Sequence, residues 1–252
     1  MLWQHAFLET RWRFLTGLVI LSVSAAFVVI GYPQVAATAA GMAGTRDTLL
    51  GREIAEALEM TKRFDSYVWS QWFQRNGAQL GSLFAVIIGT GGLLSQSAAA
   101  RLFTLSMPVS RLQLLAARAV AGLGQVLALT FVPALIIVLV SPVISKSFPL
   151  LDALAYALCA FAGCAVFFSL AFFLSTMFAN VWSPVVLALC TGMALTVIGA
   201  RLTDGRFSLL GMMHGGSYYS GQGLPWPMLL VSAGLSMALL YAGMRVIARK
   251  DF

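Results

Sequence analysis

Charged residues are so widely spaced along this chain that long uncharged stretches, not alternation, set the pattern. Arg13 to Arg46 encloses 32 uncharged residues, Arg75 to Arg101 encloses 25, and Arg118 to Lys146 encloses 27. A helix crosses bilayer hydrocarbon with about 20 apolar residues, so each stretch holds one span. Asp152 to Arg201 encloses 48 and is interrupted by Ala179-Asn180-Val181-Trp182-Ser183-Pro184. There Pro184 suits the first turn of a helix capped by Ser183, and the stretch reads as a hairpin of two spans. Arg206 to Arg245 encloses 38, but Gly211 to Gly223 is glycine-rich and polar, leaving Trp226 to Met244 as the span. The pattern predicts an all-α polytopic membrane protein, one transmembrane domain over residues 1–252. Its six transmembrane helices lie near 14–32, 77–95, 120–142, 153–177, 183–200 and 226–244.

Two flanking segments carry helical period of their own. In residues 1–13 and just beyond, Trp3, Phe7 and Phe14 share one side of a helix, with His5, Glu9 and Arg13 opposite, which predicts an amphipathic helix lying flat on the membrane. In the 33–76 loop, Ile54, Leu58, Met60, Phe64, Val68 and Trp72 form one face, with Glu56, Glu59, Lys62, Arg63, Ser70 and Gln74 on the other. Asp65 and Arg75 break the pattern. Trp69, Trp72 and Phe73 then predict a helix resting on the outer leaflet before the chain re-enters. Such a helix fits either a lid over an exit path or a brace for the spans.

Composition agrees: 60% of the 252 residues are hydrophobic and 10% charged, outside the range of soluble domains. The net charge of +7 comes from too few charges to build a nucleic-acid face, and reads instead as topology. With both termini cytoplasmic, the inner segments carry Arg11, Arg13, Arg101, Arg111, Arg118, Arg245, Arg249 and Lys250, opposed only by Glu9 and Asp251. Five basic residues of the outer segments, Arg46, Arg52, Lys62, Arg63 and Arg75, share one loop with five acids. The first uncharged stretch is too long for a signal core and reads as a retained anchor. Cys159, Cys164 and Cys190 lie in apolar stretches without metal or disulfide spacing and read as small hydrophobes.

Reactive chemistry is sparse. His5 and His214 are the only histidines, and Gly215-Gly216-Ser217-Tyr218-Tyr219 lacks the final glycine of a hydrolase elbow. No lysine follows a glycine, so there is no phosphate loop for ATP. The pairs Gly89/Gly91, Gly122/Gly124 and Gly221/Gly223 lack the third glycine of a dinucleotide loop and read as helix packing or turns. No ionisable residue occupies a span centre, where it would mark an ion relay. Nothing in the chain calls for a cofactor or metal, and an energy source would come from a partner.

The elbow between the second and third spans, within 97–118, has a pattern of its own. Pro108 divides two short helical pieces, and Ser110 caps the second. Leu102, Phe103, Leu105 and Met107 form an apolar knuckle ringed by Arg101, Arg111 and Arg118. It fits either docking into a groove on another protein or a basic turn that sets topology. Phe84-Ala-Val-Ile-Ile-Gly-Thr-Gly-Gly-Leu-Leu, followed by Thr104-Leu-Ser-Met-Pro-Val-Ser-Arg111, Arg118 and the terminal Arg249-Lys250-Asp251-Phe252, resembles the permease subunits of type-2 ATP-binding-cassette transporters. The likeness extends to the six spans, the flat N-terminal helix and the missing nucleotide site.

The resemblance implies an exporter permease of the bacterial cytoplasmic (inner) membrane. Two permease copies would sit over a dimer of separate ATPase subunits, which bind ATP and Mg. It implies that Arg101, Leu102, Phe103, Met107, Pro108, Val109, Ser110 and Arg111 couple to the ATPase, and that residues 1–13 form the connecting helix. The second and fifth spans would line the path with Gln79, Ser82, Thr90, Thr191, Met193 and Thr196, although Ser and Thr in spans also bond their own backbone. Relatives often carry a glutamate before the elbow; Leu94-Ser95-Gln96-Ser97 has none. The alternative is a membrane scaffold that binds partners without translocating substrate. Span walls of apolar residues with scattered Ser and Thr fit lipid-like molecules, peptides and drugs alike.

Overall fold

The computed structural model describes residues 2–41, 63–90, 111–178, 180, 182–202 and 208–248. They form helices α1 (Leu2–Gly41), α2 (Phe64–Val68), a π-helical stretch (Trp69–Gly77) and α3 (Ala78–Gly89). Then follow α4 (Arg111–Val140) with a 3-10 turn (Ser141–Ile144), α5 (Leu150–Ser175) and α6 (Trp182–Leu202). Two short helices, α7 (Leu209–Met213) and α8 (Gly216–Tyr219), precede α9 (Trp226–Ala248). No strand occurs among the described residues.

Five helical segments are long and apolar enough to cross a membrane: Thr10–Thr38, Leu112–Ile144, Leu150–Ser175, Trp182–Arg201 and Trp226–Ile247. They match the first, third, fourth, fifth and sixth expected spans. The second expected span, 77–95, falls on α3 and on residues outside the described set. Helix α3 nonetheless continues α2 and the π stretch as one helical run from Phe64 to Gly89 that keeps register with α5. Phe73 packs on Tyr156 with ring centroids 4.8 Å apart, Gly81 faces Cys164 Sγ, and Gly89 faces Phe172. Each pair is separated by the same number of residues, so the 64–89 run lies parallel to α5 along most of its length. Helix α1 lies antiparallel to the same run, from Arg13 Nη1, which donates to the Ile87 carbonyl (3.1 Å), to Tyr32, whose ring meets Phe64 and Tyr67.

Helix α5 is the axis of the bundle. Two thirds of its apolar window (67%) is buried, against 22% for α6 and 28% for α9. Phe167 and Phe168, side by side on α5 and both buried, enter notches left by Gly192 on α6 and Gly122 on α4. The contacts of Gly89 and Gly122 bear out the expected helix packing, whereas Gly124 faces open space and Gly91 lies outside the described residues. In lipid, where tails are as apolar as leucine, such close approach supplies much of the association energy. Cys159 and Cys164 are buried in the same helix as small apolar groups.

Three local expectations are corrected. Residues 1–13 form no separate flat helix: α1 is continuous from Leu2, Thr10 is buried and donates to Gln125 Oε1 (2.9 Å), and Arg13 is tied to α3. In the described part of the 33–76 loop the predicted apolar face packs against protein. Phe64, Val68, Trp69, Trp72 and Phe73 are all buried in the bundle, and α1 itself continues through Pro33 to Gly41. Of the predicted faces, Ile54 to Lys62 lie outside the described residues; from Arg63 on, Phe64, Val68 and Trp72 are buried while Arg63 and Gln74 are exposed, and the π stretch explains why Arg75 broke the pattern. Uniform α spacing from Phe64 puts Arg75 on the apolar side. The larger i→i+5 rings change the phase, and Arg75 is exposed. Finally, Ser183 lies inside α6, which begins at Trp182, so it is not the cap; ahead of it Asn180 Oδ1 accepts from Trp182 N (2.9 Å), an Asx turn leading into the helix.

The helices sort the connections to two ends. At one end meet the start of α2, the turn before α5 and residues 208–223. At the other lie Thr10, Gly89, Arg118 and Phe172, with Tyr241 and Arg245 of α9 beside Leu112 and Gln113 of α4.

Candidate functional site

The first end carries a cleft of about 410 Å³, lined by Arg63, Asp65, Phe148, Asp152, Tyr156, Tyr218, Tyr219, Gly221 and Gly223. Asp152 is delivered by the first turn of α5, where the helix dipole favours a carboxylate and Pro149 sets the extended entry (ψ 129°). The 208–223 segment folds over it because Gly215, Gly221 and Gly223 adopt left-handed φ of 63°, 78° and 80°, which side chains oppose. The turn role expected of Gly221 and Gly223 is therefore borne out.

Aromatic stacking fastens this segment to the bundle. Tyr219 stacks on Trp69 with centroids 4.0 Å apart and planes 5° from parallel, and its hydroxyl donates to Ser66 Oγ (2.9 Å). Trp69 Nε1 donates to the His214 carbonyl (2.8 Å). Tyr218 meets Tyr156 edge-on, and its hydroxyl donates to Asp152 Oδ1 (2.8 Å). That hydrogen bond, with burial and the carboxylate charge, raises the Tyr218 phenol above its ordinary value, so it stays a donor at physiological pH. Arg63 and Asp65 are exposed at the rim.

His214 lies in the turn between α7 and α8, and burial lowers its pKa below the ordinary 6.5. Its neutral form is the folded form, so the stability it contributes is complete above pH 6.5 and falls as pH drops through the lowered folded value. The thermal midpoint is expected to fall between pH 7 and about pH 5.5, above the carboxylate range, and His214→Gln should flatten that change. Melting curves of both proteins at the two pH values check this.

The residues nominated by resemblance do not gather here. Arg101, Leu102, Phe103, Met107, Pro108, Val109 and Ser110 lie outside the described residues, and Arg111 opens α4. Gln79 is exposed on α3, and Thr191 and Met193 are exposed on α6. Ser82, Thr90 and Thr196 are buried and donate to carbonyls of their own helices, those of Gln79, Ile87 and Gly192 (2.9, 2.9 and 3.0 Å). The backbone-bonding role weighed for these hydroxyls is thus what they perform within one chain. The cleft tyrosines were missed, although the glycine-rich Gly211–Gly223 stretch and the aromatic cluster near Trp69 belong to loops expected on one side.

Among the described residues no three His, Cys, Asp or Glu side chains group as metal ligands. The all-helical fold with its long apolar helices defines a polytopic membrane protein. Comparison with family models, curated proteins and solved structures finds no match to this chain.

Proposed function

We propose that the chain is the membrane-spanning permease subunit of an ATP-binding-cassette exporter. Six passes, with the 64–89 run extending into the second, would place both termini in the cytoplasm of a bacterial cell. Two copies would sit over a dimer of separate ATPase subunits that bind ATP and Mg, docked at the 101–111 elbow. The observation that carries the reading is the closed interior of the bundle. Its centre is filled by Phe167, Phe168, Val126 and Ile137, and none of the described Asp, Glu, Lys, Arg or His residues lies at the middle of the five long apolar helices. A path therefore has room between chains rather than within one, and its energy has to come from elsewhere. The open face of α6, with Thr191 and Met193, is available to a second copy.

The test is affinity purification of the tagged chain from native membranes in mild detergent, with assay of the eluate for ATP hydrolysis. A co-purifying ATPase is expected. Phe103→Asp with Met107→Asp should abolish its association, since charging the centre of an apolar contact removes its anchors. Purification without ATP turnover, from membranes shown to retain known complexes, would shift the assignment to a scaffold. Unchanged association in the double variant would remove the elbow as the docking site.

A further inference from the structure

The cleft has a feature that neither folding nor coupling uses. Tyr156 is only 5% exposed and lines the cleft; its hydroxyl makes no hydrogen bond among the described residues and is not sealed inside the bundle, and Asp152 and Asp65 are near enough to act on it electrostatically. Asp65 is exposed at the rim, and Asp152 accepts from Tyr218 through one oxygen. Two carboxylates against Arg63 leave the lining with one net negative charge.

We propose that this cleft binds a small primary ammonium ligand of the ethanolamine type, held by Asp65, Asp152 and the Tyr156 hydroxyl. Three acceptors match the three donors of a primary ammonium. A quaternary ammonium needs open aromatic faces. Here the rings are engaged with one another: Tyr219 is stacked on Trp69, Tyr218 is edge-on to Tyr156, and Phe148 lies against Phe73. Gly221 and Gly223 line the cleft and face open space, a Cβ at either meeting nothing within 4 Å. The same ammonium is presented by a free amine and by a phosphatidylethanolamine headgroup. The proposal does not depend on the ATPase reading.

The experiment is saturation-transfer NMR of ethanolamine with the full chain in maltoside micelles, which carry no amine. Saturable binding is expected, with choline at least about tenfold weaker because it has no N–H donors. Asp65→Asn and Tyr156→Phe should each weaken ethanolamine about tenfold or more, the cost of a charge-assisted contact, while thermal midpoints stay close to the parent. Loss of ethanolamine binding on doping the micelles with phosphatidylethanolamine assigns the headgroup as the source, and retention assigns a free amine. Absence of saturable binding, equal binding of choline, or unchanged binding in both variants would overturn the site.

Discussion

Gly89→Val is expected to prevent stable assembly of the bundle, while Gly124→Val leaves it nearly unchanged. A Cβ on Gly89 would lie 2.6 Å from the Phe168 carbonyl oxygen and 2.9 Å from Ala171 Cβ. The first obstacle is backbone on the central helix, so it cannot rotate aside. Relief requires α3 and α5 to separate, which opens voids along the register that joins Phe73 to Tyr156 and Gly81 to Cys164. Overpacking a filled core costs about 1–3 kcal/mol, and displacing backbone belongs at or above the top of that range. Lipid does not replace what is lost, because the association rests on packing rather than on exclusion from water. At Gly124 a Cβ meets nothing within 4 Å, so valine there should cost less than about 1 kcal/mol. Denaturation in mixed micelles compares the two, and equal loss would show that the α3–α5 contact does not govern stability.

Trp69→Ala is expected to release residues 208–223 from the bundle and empty the cleft of its wall. Trp69 is buried, stacks on Tyr219 and holds the His214 carbonyl, so one substitution removes the ring contact and strands an acceptor. Truncating a buried aromatic costs about 3–5 kcal/mol. Trp69→Phe keeps a ring and loses the N–H, for which about 1 kcal/mol is expected. Hydrogen exchange separates local from global loss: protection should fall over 208–223 in Trp69→Ala while that of α5 persists. Coupling between Trp69→Ala and Tyr219→Ala, about 0.5–1.5 kcal/mol in a double-mutant cycle, would attribute the effect to the stacked pair. Release of α5 together with the segment would instead make Trp69 a support of the whole bundle.

The cleft was harder to read from the chain than the spans because its parts are distant in sequence. Tyr156 reads as one more aromatic in an apolar stretch, and Asp152 as a charge at a span boundary. Tyr218 and Tyr219 sit in a failed hydrolase motif. Only when α5 and the 64–89 run align do Asp65 and Asp152 come to one opening. The helix from Phe64 illustrates the same limit. Its apolar face was legible from spacing, but whether that face met lipid or protein was not, since both are apolar and select the same residues. The π stretch was illegible for a related reason: a change of helical phase shows only as one misplaced residue, Arg75.

What the sequence by itself determined is the class. Uncharged stretches longer than a bilayer is thick leave helices as the economical way to satisfy the backbone, and breaks such as Asn180 to Pro184 mark where they turn. It also kept Asp, Glu, Lys, Arg and His away from the middles of the five long apolar helices. The tertiary structure alone decided which helix is central, because α1 and α5 are equally apolar, yet α5 is the one whose Phe167 and Phe168 enter room left by glycines on its neighbours. It decided too that the Tyr156 hydroxyl opens beside Asp152 and Asp65. That arrangement depends on helix register, which hydrophobicity does not encode and close packing of unlike side chains does.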